Sequence, residues 1–333
     1  MEKLLNKRES NFELLRIISM LFIIAAHYAL YNGFSSAGSL ASNFLFSFFR
    51  CGGKLGVTLF ILITGYFMVH SDIKIKKVII LECQVLFYTI GALLFCLLMG
   101  REVTYSQLIQ SFLPNLLRMY WFFSSYFALY LFIPLINKFV LGLKRDEFKK
   151  LLLLSLVFLI VIPTFFIYFT PIHDGIYLVY YYMVGCYIKL HFKEKRNKWF
   201  YLLMFVGGYL SIVLLSTGMN YLSIGGFVPS EYIYYYAKNG SIFLFVTAIS
   251  LFLFFKNIKI NYNKLINRIA SVSFGVYLFH DNIFFREILW EEIFVMNSYA
   301  NIFSYFITGV GTVIIVYLIG RLIDWFRQVI SKG

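Results

Sequence analysis

Ten apolar runs divide this chain, at approximately 12–31, 47–69, 77–99, 119–140, 150–170, 174–191, 199–217, 235–256, 269–286 and 299–323. A helix needs about 20 mostly apolar residues to cross the hydrocarbon core, where lipid leaves backbone groups no other partner. The runs therefore predict an all-α, polytopic integral membrane protein with about ten transmembrane helices. A soluble core is a poor alternative: 60% of the 333 residues are apolar and only 14% charged, more apolar surface than one soluble domain hides. The first run is too long for the apolar core of a signal peptide and further spans follow, so it reads as a retained helix. No linker, low-complexity tract or repeat interrupts the pattern, and residues 1–333 read as a single transmembrane domain.

The net charge of +14 does not point to nucleic acid, which needs a basic face on a soluble module. Lys and Arg fall instead into alternate connections: Lys3, Lys7, Arg8; Lys74–Lys77; Lys138–Lys150; Lys189–Lys198; Lys256–Arg268; Arg321–Lys332. With Arg16, these connections hold 24 basic residues, against six (Arg50, Lys54, Arg101, Arg118, Lys238, Arg286) in the others. The positive-inside rule then predicts both termini in the cytoplasm of a cell that keeps the protein in its plasma (inner) membrane. Ser35–Ser39 and 286–298 are expected outside, with 70–77 and 141–149 inside. Residues 100–118 contain an amphipathic stretch suited to the interface, and 217–234 read as an irregular outer loop. Cys51, Cys83, Cys96 and Cys186 lack metal or redox spacing and read as small apolar residues in helices.

Ionisable residues inside spans are costly, so each is a functional candidate. Arg16 and His27 are eleven residues apart, near three helical turns, so both project from one face about 16 Å apart. Glu13, three residues before Arg16, shares that face. Spacing alone leaves two readings: a ligand-binding face, or a snorkelling Arg16 with an ion-pair partner and a satisfied polar His27. Arg50 and Lys54 beside Gly52-Gly53 are open in the same way, between acceptor binding and interfacial anchoring. His280, next to Asp281, either orients a ligand or bonds between helices. Trp121 and Tyr180–Tyr182 are either sugar-stacking rings or belt aromatics.

The residues also carry a resemblance. NFELLRIISMLFIIAAHY (11–28) resembles the opening helix of the acyltransferase family 3 membrane proteins, whose signature is Arg, ten residues, then His; Glu13 stands where that family usually has Asp. GVTLFILITGYFM (56–68) is similar to the family's second-helix segment, with Thr64 for Ser and Ile61 for Phe. YWFFSSYFALYLFIPLI (120–136) resembles its Trp…Tyr…Pro pattern through Trp121, Tyr130 and Pro134. SFGVYLFHDNIFF (273–285) is similar to its S-x-x-YL-x-H segment, with His280 in place.

The resemblance implies transfer of an acyl group, most often acetyl, from cytoplasmic acyl-CoA to a hydroxyl of a cell-envelope glycan or lipid-linked saccharide. It makes His27 and Glu13 candidates for catalysis and Trp121 and His280 candidates for the acceptor; residue chemistry adds Arg16 for the acetyl-CoA phosphates, and Arg50 and Lys54 either for an anionic acceptor or for charge at the thioester oxygen. No appended hydrolase-like domain is expected before Gly333, so the membrane domain would complete the transfer. The chemistry suits the residues. A neutral imidazole is a good general base, and an arginine fork grips phosphate. No HExxH, GxxxxGK[ST] or GxSxG motif is present, so no metal is expected. Membrane lipids are the surrounding partners, and assembly into homo-oligomers is left open. The alternatives are a transporter or flippase of polysaccharide or lipid-linked sugar, and a structural subunit of an envelope-synthesis complex.

Overall fold

The computed structural model describes residues 8–32, 39–166, 173–193, 196–295 and 302–330. Among them every regular element is a helix. In chain order these are α1 (Ser10–Tyr31), α2 (Leu40–Arg50), α3 (Gly52–Met68), α4 (Ile75–Leu98), the short α5 (Tyr105–Phe112), α6 (Trp121–Gly142) and α7 (Arg145–Leu156). Then come α8 (Ile162–Phe165), reached from α7 through a π turn, α9 (Asp174–Leu190), α10 (Lys198–Ile224) and α11 (Ile242–Asn257). α12 (Lys264–Ala270), α13 (Ser273–His280), α14 (Ile283–Glu287) and α15 (Ile302–Ile330) follow. The chain is an all-helical, polytopic membrane protein.

Among the described residues, eight helical stretches are long and apolar enough to cross a membrane, against the ten runs of the sequence. The difference has two sources. Run 174–191 forms α9, which is 17 residues long. Run 269–286 breaks into α12, α13 and α14, each of eight residues or fewer. Both still pack among the long helices, α9 against α3 and α6, and α13 against α15. The break after α13 is built by Asn282: its Oδ1 accepts from the Phe284 N–H at 3.0 Å, and its amide donates to the Tyr120 hydroxyl at 2.7 Å. That hydroxyl in turn donates to the Leu278 carbonyl at 2.8 Å, so helix ends that lipid cannot solvate are satisfied by side chains.

α10 continues through Ile224, so the irregular stretch expected over 217–234 begins only at Gly225. The amphipathic stretch within 100–118 is α5, started by a capping box between Thr104 and Gln107. Cys51, Cys96 and Cys186 are buried, and Cys83 is exposed.

α1 and α3 lie inside the bundle, while α4, α10 and α15 turn residues such as Leu94, Leu98, Leu203, Leu214, Ile307 and Leu318 outward, toward lipid. Because lipid is as apolar as leucine, close packing and interhelical hydrogen bonds must hold the inner helices together. Small residues make that possible. A Cβ at Gly56 would overlap the Ser19 carbonyl of α1, and one at Gly65 would overlap the Tyr182 carbonyl of α9. We expect Gly65→Ala to cost about 1–3 kcal/mol through overpacking, read as a lower unfolding temperature in detergent. An unchanged temperature would show that α3 and α9 do not cross so closely.

One end of the bundle gathers the basic connections. Asn11 donates to the Phe255 carbonyl at 2.9 Å, Ser10 bonds Asn267 at 3.0 Å, and Asn137 bonds the Met68 and Ser71 carbonyls at 2.7 and 3.0 Å. Lys189 lies 4.6 Å from the Tyr66 ring centre and Lys256 lies 5.8 Å from that of Phe192. These contacts tie the helix ends near 10, 66–71, 137, 189–192 and 255–267 into one face, here termed the basic end. Lys3, Lys7, Lys195 and Lys332 lie outside the described residues, as do positions 35–38 and 296–298. Single-cysteine labelling with an impermeant reagent in intact cells is expected to modify positions 286–295 and spare 141–149. The reverse pattern would invert the orientation.

Candidate active site

Helical periodicity in α1 sets the frame of the site. Arg16 and His27 share one face, but each opens into a different cavity. The basic-end cavity, about 310 Å³, is lined by Arg8, Arg16, Thr64, Gln84, Tyr126 and Tyr277 among others. The far-end cavity, about 350 Å³, is lined by His27, Tyr31, Arg50, Lys54, Trp121 and Tyr277, together with Arg118, Asp281 and Arg286. Tyr277 of α13 lines both, so its ring stands where the two approach each other.

Glu13 is buried beside Arg16, its Oε1 accepting from the guanidinium at 2.5 Å. Arg8 adds a longer contact of 3.7 Å. Glu13 lines neither cavity, and fourteen residues of helix separate it from His27, about 21 Å along the axis. In this placement Glu13 pairs with Arg16 and lies away from the cavity that holds His27.

The carboxylate near His27 is Asp281, at the break after α13. Its Oδ1 lies 3.8 Å from His27 Nδ1, too far for a hydrogen bond, and His27 Nδ1 is buried with no bonded partner among the described residues. Asp281 is held by Arg286, which donates to the same Oδ1 at 2.8 Å and lies 4.8 Å from the Tyr31 ring centre. His280 is fully buried behind His27, with ring centres 5.0 Å apart. Its Nδ1 donates to the Val276 carbonyl at 2.7 Å, and the side chain lines neither cavity. His280, which the sequence assigned to the acceptor, thus packs against the His27 ring and lies outside both cavity linings.

Lys54 and Trp121 come together. The Lys54 ammonium lies 3.6 Å from the Trp121 ring centre and donates to Asp174 at 2.9 Å. Asn239 holds the other carboxylate oxygen of Asp174 at 2.9 Å. The close approach of α3 to α1 at Gly56 brings Lys54 to the cavity that holds His27. Tyr180, Tyr181 and Tyr182 are buried and bond the Leu152 carbonyl, the Asn239 carbonyl and Asn137. They are scaffold residues, which removes them as sugar platforms. Arg118, Arg286, Tyr31 and Tyr277 join the site without having been singled out from the sequence. Among the described residues no cluster of His, Cys, Asp and Glu has metal-binding geometry.

Comparison with known families matches residues 9–321 to the profile described as an acyltransferase domain. Comparison with curated proteins and with solved structures finds no significant match.

Proposed function

The chain belongs to this acyltransferase family, and on that premise we propose that it moves an acetyl or similar acyl group from cytoplasmic acyl-CoA to a glycan hydroxyl at the outer face. The observation that carries the reading is the pair of cavities, with Arg16 in one, His27 in the other, and Tyr277 between them. A donor with a phosphorylated head and a long thin arm suits this division. Its phosphates bind Arg16 and Arg8 at the basic end, and its thioester reaches toward Tyr277 and His27.

In the transfer, His27 takes the proton of the acceptor hydroxyl as the oxygen attacks the thioester carbonyl. The C–S bond breaks, an ester forms, and the imidazolium returns the proton to the departing thiolate. Acyl-CoA and alcohol become ester and CoA thiol, with no other reactant consumed. A shift of under about 1 Å would bring Asp281 within hydrogen-bond range of His27 Nδ1. That bond would hold Nδ1 protonated and leave Nε2 as the base. Lys54 is suited to the negative charge that develops on the thioester oxygen.

The acceptor is expected to be a cell-envelope glycan or lipid-linked saccharide, held at the cavity wall where Lys54 lies over the Trp121 ring. NMR of the envelope polysaccharide from cells with and without the gene tests this reading. Ester-methyl resonances that vanish on deletion and return with the wild-type gene support it. Identical spectra, together with no cleavage of acetyl-CoA by purified protein, would favour a transporter or flippase.

A further inference from the structure

We infer that the far-end cavity binds an anionic acceptor, one bearing a phosphate or carboxylate near the hydroxyl that is acylated. The inference rests on the acyl-transfer reading for the word acceptor, and on the charge of the cavity for the word anionic.

Four cations line this cavity: Arg50, Lys54, Arg118 and Arg286. Two are already compensated, Lys54 by Asp174 at 2.9 Å and Arg286 by Asp281 at 2.8 Å. The other two are not. Arg50 lies 5.2 Å from the Tyr234 ring centre, and among the described residues no carboxylate forms an ion pair with it. Arg118 meets an imidazole nitrogen, His173 Nε2 at 2.9 Å, which brings no negative charge, and among the described residues no carboxylate forms an ion pair with it. Arg118 is exposed at the rim of the cavity, whereas Arg50 is only partly exposed, and an uncompensated charge drawn out of water is costly unless a ligand supplies the counter-charge.

The backbone of Arg118 is a second, independent sign. Its φ of 52° makes it the one non-glycine residue in the left-handed region among those described. The turn is closed by Arg118 N–H to the Asn115 carbonyl at 3.3 Å and Met119 N–H to the Pro114 carbonyl at 2.9 Å. Glycine or asparagine would adopt that conformation with less strain. Strain of this kind clusters at active sites and ligand clamps, and here the side chain lines the cavity that holds His27. Arginine forks match phosphate and carboxylate oxygens in pairs, so the two uncompensated arginines are suited to one such group while the sugar lies toward Trp121 and His27.

The test is equilibrium binding to purified protein in phosphatidylcholine nanodiscs, using N-acetylglucosamine 1-phosphate, glucuronic acid and N-acetylglucosamine as probes. CoA binding and acetyl-CoA cleavage are measured on the same preparation. At least one anionic probe is expected to bind ten-fold or more tightly than the neutral sugar, with an advantage that shrinks as salt rises; the better of the two separates phosphate from carboxylate. Arg118→Gly is the decisive variant. It should lower affinity for the anionic probe about ten-fold while leaving CoA binding unchanged and the unfolding temperature equal or higher, because the strain is relieved. Arg118→Lys should recover part of the loss. Equal affinity for charged and neutral probes, or an Arg118→Gly protein that is destabilised or keeps its affinity, would overturn the anion site. If phosphatidylglycerol in the nanodiscs abolishes probe binding, the site belongs to a lipid headgroup and the acceptor assignment falls. An anion site that stands in a protein unable to bind or cleave acetyl-CoA would sink the acyl-transfer reading alone, and the converse result would sink the anion site alone.

Discussion

Replacing His27 with alanine is expected to lower acyl transfer by about 10²–10⁴-fold, the usual contribution of a positioned general base. Fold and CoA binding should be retained, because the imidazole lines a cavity and its Nδ1 makes no hydrogen bond that holds the bundle together. The neighbouring groups should give graded effects that identify the role. Asp281→Asn keeps the shape but removes the charge that would hold the Nδ1 proton, so it should lower turnover more than it changes the KM for acetyl-CoA. It also leaves Arg286 without its carboxylate, and some loss of stability is expected. His280→Ala removes a ring that packs against His27 at 5.0 Å and should act through turnover, because it lines neither cavity. Steady-state rates with radiolabelled acetyl-CoA, and CoA binding on each variant, separate these effects. A His27→Ala protein with near wild-type turnover would end the base assignment.

How far this site was legible in the sequence depends on whether its parts lie along one helix or are brought together between helices. Arg16 and His27 were legible because a single helix relates them and 3.6 residues per turn set their common face. Glu13 was legible as their neighbour, and helical rise alone separates it from His27 by about 21 Å. The acid that does approach His27 is Asp281, 254 positions along the chain, and no local pattern reports such a pairing. Hydropathy likewise saw run 269–286 as one span, whereas Asn282 caps a new helix inside it and fixes Asp281 at the break. An Asp-Asn pair in an apolar run is a cap signal, and it was the available clue to both the break and the site. Arg118 carried no such clue. Its left-handed backbone and its approach to the cavity exist only once α5 and α6 are joined by a tight turn.

At the other cavity, Arg16→Ala is expected to weaken CoA binding by about ten- to a hundred-fold, as befits hydrogen bonds between a fixed charge and phosphate. Arg16→Lys should restore only part of that, since a lysine offers a point charge where arginine offers a fork. Glu13 makes the prediction sharper. Its buried carboxylate accepts from Arg16 at 2.5 Å and lies 3.7 Å from Arg8, so Arg16→Ala removes its nearest compensation and should cost stability as well as affinity. Arg16→Ala combined with Glu13→Gln removes both charges and should regain stability without regaining CoA affinity. That split separates a phosphate ligand from a structural ion pair, because a purely structural Arg16 would recover both together. Titration of CoA against each purified variant, with unfolding temperatures measured alongside, reads the two effects. Unchanged CoA affinity in the single variant would leave Arg16 as an anchor and move donor recognition to Arg8 or another residue of the basic end.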